Sequence, residues 1–138
     1  MTIPVEFLQS IPYFSGLNAT ELDSIREFIF EKKAERGQII LAEGEPADIL
    51  YFVASGAVKV FKTSAEGKEQ ILNIVRPGES FNDVPIFDGG PNPASAEAMG
   101  AVVLYSIRRR ELDVLLRNYP QVALNITKVL AGQARHLG

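Results

Sequence analysis

The chain opens with apolar residues at helical spacing. Val5, Phe7, Leu8 and Ile11 share a face that ends at Pro12. Asn18 predicts the start of a second helix, because Glu21 follows at capping-box spacing and Leu22, Ile25 and Phe28 or Ile29 fall on the inward side. From Gln38 the period becomes that of strands. Ile39-Ile40-Leu41 stops at Gly44-Glu45-Pro46, and Leu50-Tyr51-Phe52-Val53 stops at Ser55-Gly56. Val58, Val60 and Thr63 alternate with Lys59, Phe61 and Lys62 up to Ala65-Glu66-Gly67. Ile71-Leu72-Asn73-Ile74-Val75 runs to Pro77-Gly78, a Gly/Pro/Asn-rich loop leads back into a strand, and Val102 to Ile107 closes the series. Short strands punctuated by Gly and Pro predict an antiparallel roll or jelly roll. The helical period returns at Arg108, with Leu112, Leu115 and Leu116 on one face. Tyr119-Pro120 breaks that helix, and Pro120 suits the first turn of the next.

These elements predict one domain over 1–138, with helices over 1–35, a β-roll over 36–108 and helices over 109–138. Composition agrees: 46% of the 138 residues are apolar and 22% charged, enough to bury a core without staples. Net charge is −3, so the chain lacks the basic footprint of a nucleic-acid binder. Zero cysteines exclude disulfides, thiolate nucleophiles and cysteine-held clusters. No basic region followed by an apolar run marks a signal peptide, and no apolar run reaches membrane-spanning length. Cytoplasmic residence is the expectation.

Within that frame, Gly44-Glu45-Pro46-Ala47-Asp48-Ile49-Leu50-Tyr51-Phe52-Val53-Ala54-Ser55-Gly56-Ala57-Val58-Lys59-Val60 resembles the turn–strand–turn–strand signature of the cyclic-nucleotide-binding fold. Ile11-Pro12-Tyr13-Phe14-Ser15-Gly16-Leu17 is similar to the family's N-terminal segment, and Pro77-Gly78-Glu79 to the start of its ligand cassette. The likeness covers nearly the whole chain and is to the sensor half of Crp/Fnr-type transcription regulators. It implies a mainly β fold, a double-stranded β-helix (jelly roll) flanked by N-terminal and C-terminal helices. It also implies a long dimer helix and a helix-turn-helix. Gly138 would fall inside that long helix, so DNA binding is expected to reside outside this chain.

The resemblance places the ligand cassette at 78–96. In the family, backbone amides and one arginine hold the cyclic phosphate, and a carboxylate accepts a hydrogen bond from the ribose. Position by position, Asn82 stands where the family has glycine, Asp83 where it has the ribose-binding glutamate, and Pro93 where it has the arginine. Ala94 and Ser95 match the small residues that help hold phosphate. The candidate pocket is therefore Phe81, Asn82, Asp83, Val84, Pro93, Ala94 and Ser95. The family implies a cyclic nucleotide, and Pro93 argues against one: losing the charged partner of an enclosed anion costs on the order of 2–4 kcal/mol. Arg76 and Arg108-Arg109-Arg110 are the basic residues that could substitute. Asp83 as a helix cap and Asn92 as a turn residue are equally open readings.

Other chemistry finds little support. His136 is the single histidine and has no second ligand at metal spacing, which also excludes a cupin-type centre. No serine or threonine has a histidine near it in motif, so the chain reads as non-catalytic. Arg108-Arg109-Arg110 is followed by Glu111 and Asp113, as at a solvated helix start. In the last helix Val122, Ile126, Val129, Gln133 and Leu137 approach a heptad seam. With the resemblance they imply a parallel homodimer; the alternative is packing on the chain's own domain. The expected function is an effector-sensing regulatory domain with an unidentified small ligand. The alternative is a ligand-free fold serving dimerisation or protein interaction, whose pocket its own side chains would fill.

Overall fold

The computed structural model describes residues 3–137, the side chain of Leu137 excepted. They divide into two compact units, a roll over Phe30–Arg109 and a helical unit built from residues 3–29 and 110–137.

The roll consists of eight antiparallel strands: β1 (Phe30–Ala34), β2 (Ile39–Leu41), β3 (Ile49–Ser55), β4 (Val58–Thr63), β5 (Glu69–Val75), β6 (Ser80–Phe81), β7 (Ser95–Ala98) and β8 (Val102–Arg108). They form two four-stranded sheets in the orders β1-β8-β3-β6 and β2-β7-β4-β5. Between the sheets lies one apolar core to which both contribute, with Tyr51, Val53, Val102 and Leu104 from the first and Ile40, Val58, Val75, Ala96 and Ala98 from the second. Register along the first sheet sets Phe30, Ser106, Tyr51 and Phe81 in one cross-strand row. Tyr51 and Phe81 stack with ring centroids 5.0 Å apart.

The jelly roll with helices at both ends agrees with the sequence reading, but its first boundary does not. Residues 30–34 were expected to close the helical segment and instead form β1. The reason is its position: β1 pairs only with β8, at a sheet edge. Its Glu31, Lys32 and Lys33 keep partial or full access to water, so the segment shows no apolar alternation. The β4–β5 register shifts opposite Val60 and Phe61, leaving Leu72 as the extra residue on β5. Against β7 the strand stays in regular register, and Phe61 is buried on the same side as Lys59, whose Nζ lies 4.9 Å from its ring centroid. Lys59 lies on β4 beside two acids, 2.7 Å from Glu69 and 3.7 Å from Glu97. The hydrogen bond to Glu69 raises its pKa.

The helical unit contains α1 (Val5–Ser10), a 3₁₀ turn at Pro12–Phe14, α2 (Ala19–Ile25), and the C-terminal α4 (Arg109–Asn118) and α5 (Pro120–Leu137); α3 (Asp83–Asp88) belongs to the roll. Asn18 and Glu21 form the reciprocal capping box at the start of α2, with bonds of 2.8 and 3.0 Å. Helix α5 packs on the Pro12–Phe14 turn. There Asn125 donates from Nδ2 to Tyr13 O at 3.1 Å and Ser15 O at 2.7 Å, tying the two ends of the chain together.

Candidate functional site

The Pro77-Gly78 corner delivers the chain into β6, and Asn82 then turns it into α3. Asn82 is the one non-glycine residue with positive φ among the described residues, at φ 72 and ψ 22. Asparagine tolerates this left-handed conformation better than most side chains. Asn82 therefore keeps the backbone shape that a glycine would allow. Its Nδ2 donates to Ile49 O at 3.0 Å, fastening the cassette to β3.

The other expected site residues separate by role. Phe81 is buried against Tyr51 and belongs to the core. Asp83 is the first residue of α3; the cap position falls to Asn82, and Asp83 Oδ2 accepts a bond from Ser80 Oγ at 2.7 Å. Val84 is 57% exposed. Pro93 is exposed, Ala94 is buried, and Ser95 Oγ accepts from the Glu43 amide at 2.9 Å. None of the candidate arginines takes the missing role. Arg76 donates to Ile74 O, Arg108 lies over the Phe30 ring, Arg109 donates to Pro85 O at 3.1 Å, and Arg110 is exposed. His136 is exposed in the last turn of α5, and no acidic or histidine cluster fit for a metal exists among the described residues.

An open pocket of about 200 Å³ lies in the roll. Ile40, Leu41, Ala42, Pro46, Ile49 and Tyr51 supply its walls, and Glu45, Asp48, Asn82 and Asn92 its polar groups. Of the seven expected pocket residues only Asn82 lines it. The rest of the lining comes from long-range pairing: the Gly44 amide donates to Asn92 O, the Asn92 amide to Glu45 O, and Pro46 bridges Pro91. Asn92, open to a turn reading in the sequence, is buried instead, with Nδ2 donating to Ala42 O at 3.0 Å. Its Oδ1 is buried without a partner, as is Ser106 Oγ in the row beside Tyr51. Burial holds Tyr51 above the ordinary tyrosine pKa, so its phenol stays protonated.

The family model for the cyclic nucleotide-binding domain matches residues 31–119. The chain belongs to this family. Within it, the chain is 31% identical over 130 residues to a CRP-like cAMP-activated global transcriptional regulator of Mycobacterium tuberculosis, covering 94% of this chain and 58% of that protein. The structure of the Thermus thermophilus catabolite activator protein superposes with TM-score 0.84 at 33% identity, covering 91% of this chain and 59% of that one. The N-terminal domain of a Streptomyces coelicolor transcriptional regulator superposes with TM-score 0.81 at 31% identity, covering 95% and 92%. The chain spans about three-fifths of the length of the Mycobacterium tuberculosis regulator and of the Thermus thermophilus cyclic AMP receptor protein, to which it is 33% identical. Family membership bears out the Crp/Fnr-type resemblance and the roll. Among the described residues no helix is long and apolar enough to cross a membrane.

Proposed function

We propose that this chain is the effector-sensing part of a Crp/Fnr-type transcription regulator, non-catalytic, and that its effector is not a cyclic nucleotide. The observation that supports this reading is a cassette that keeps its left-handed turn at Asn82 while every candidate arginine is engaged or placed elsewhere. The open pocket favours sensing over a ligand-free interaction module, which would fill that space with its own side chains. Binding would be transmitted to a DNA-binding domain outside this chain, which requires that the two regulatory states differ in effector affinity. The parent protein would act as a homodimer through the distal part of α5. Val129 is half-buried and Gln133 exposed there, and the Leu137 side chain lies outside the described residues.

Cyclic AMP and cyclic GMP are expected to bind with millimolar affinity or not at all, as measured by calorimetric titration. Pro93→Arg restores a cation at the family position and is expected to tighten cyclic AMP by about tenfold or more. A micromolar dissociation constant for the wild type would sink the reading of this cassette. No gain in Pro93→Arg would place the block in the cassette backbone or at Asn82.

A further inference from the structure

We infer that the pocket in the roll takes a small organic cation with an apolar body. The inference rests on the effector-sensing reading above and names the ligand's chemical class. Each asparagine side chain on the lining commits its amide nitrogen to a backbone carbonyl, Asn82 Nδ2 to Ile49 O and Asn92 Nδ2 to Ala42 O. Those bonds also fix which way each amide faces, since the opposite orientation would set oxygen against oxygen. The buried side-chain atom on the lining with no partner is an acceptor, Asn92 Oδ1, in a residue only 4% exposed. An unpaired acceptor at that depth is a cost that a donating ligand would remove.

Charge points the same way. Glu45 and Asp48 contribute carboxylates to the lining, and no lysine or arginine contributes to it. The basic groups in the neighbourhood are turned to aromatic rings, with Lys32 Nζ 5.8 Å from the Tyr51 centroid and Arg108 over Phe30. The Glu45 and Asn92 amides, which could otherwise cradle an anion, are consumed by the turn. The pocket thus offers acceptors and negative charge to a ligand's head group, and Ile49 with Tyr51 to its body. A phosphate there would meet repulsion from Glu45 and Asp48, whereas an ammonium meets carboxylate and amide oxygen.

Three probes of matched shape and different charge test this on the full chain: 2-phenylethylammonium, 2-phenylethanol and phenylacetate. Side-chain amide resonances of Asn82 and Asn92 report occupancy of the site. The ammonium is expected to bind tightest, about tenfold over phenylacetate at low salt, with the ratio shrinking as ionic strength rises to about 0.15 M. The double variant E45Q/D48N removes two exposed carboxylates, should keep the wild-type melting temperature, and should collapse the order. Phenylacetate binding as tightly as the ammonium would overturn the cation class while leaving an effector pocket in place. If none of the three moves either amide at about 20 mM, the cation class and the pocket's sensing role fall together.

Discussion

Ile126→Glu is expected to lower the stability of the chain by about 3–5 kcal/mol, because it buries a carboxylate without a partner. Ile126 is 5% exposed and Val122 1% exposed in the single chain. They flank Asn125, whose amide holds Tyr13 O and Ser15 O, so the charge would enter the place where α5 meets the N-terminal turn. The melting temperature should fall by roughly 10–20 °C, followed by circular dichroism. Burial of Val122 and Ile126 in the single chain supports the alternative of packing on the chain's own domain, and leaves the distal positions for a partner. Val129→Glu is the contrast, since Val129 is half-buried and the change should cost little stability. Sedimentation of both variants decides the matter. If Ile126→Glu keeps the wild-type melting temperature and merely halves the sedimenting mass, the seam includes Ile126 and the packing account is wrong.

Gly56→Ala is the second change with a large expected effect, a loss of about 2–5 kcal/mol. Gly56 turns β3 into β4 at φ +83, where an L-side chain costs about 1–2 kcal/mol. A Cβ at this position would also collide with Ala101 O and crowd Val102, and such overpacking costs about 1–3 kcal/mol more. Gly67 separates the two contributions. It has φ +85 with nothing near its missing Cβ, so Gly67→Ala should show the conformational cost alone. Denaturant unfolding of the two variants measures the difference. Equal losses would mean that the turn at Gly100–Ala101 yields and the collision costs nothing.

The roll was legible because glycine and proline mark its turns and because β3, β4 and β8 carry enough buried aliphatic residues to show a strand period. Edge position hid β1, whose side chains stay in contact with water. Pro93 was legible too, since a missing arginine is a statement about residue type alone. The pocket was not: Glu45 meets Asn92 through a backbone pairing that spans nearly fifty residues of chain, and no local pattern encodes it. Two signals were available. Asn82 at a position of family glycine is the substitution that preserves a left-handed turn. Asn92, set between Pro91 and Pro93, has both neighbours barred from donating a backbone bond, which marks its own amide as the tie across the loop.

The division of the chain also bears on the order in which it folds. Residues 3–29 and 110–137 make one unit, yet about 80 residues separate them, and closing a free loop of that length costs about 4 kcal/mol. Pairing of β1 with β8 sets Phe30 opposite Ser106, so a formed roll has already brought the two departing segments to neighbouring positions. Assembly is therefore expected to run from the roll to the helices, and opening in the reverse direction. Native-state hydrogen exchange should find the amides of β3 and β8 protected up to global unfolding and those of α5 released at lower free energy. Protection in α5 outlasting that in β8 would mean that the helices form the nucleus and the roll is added to them.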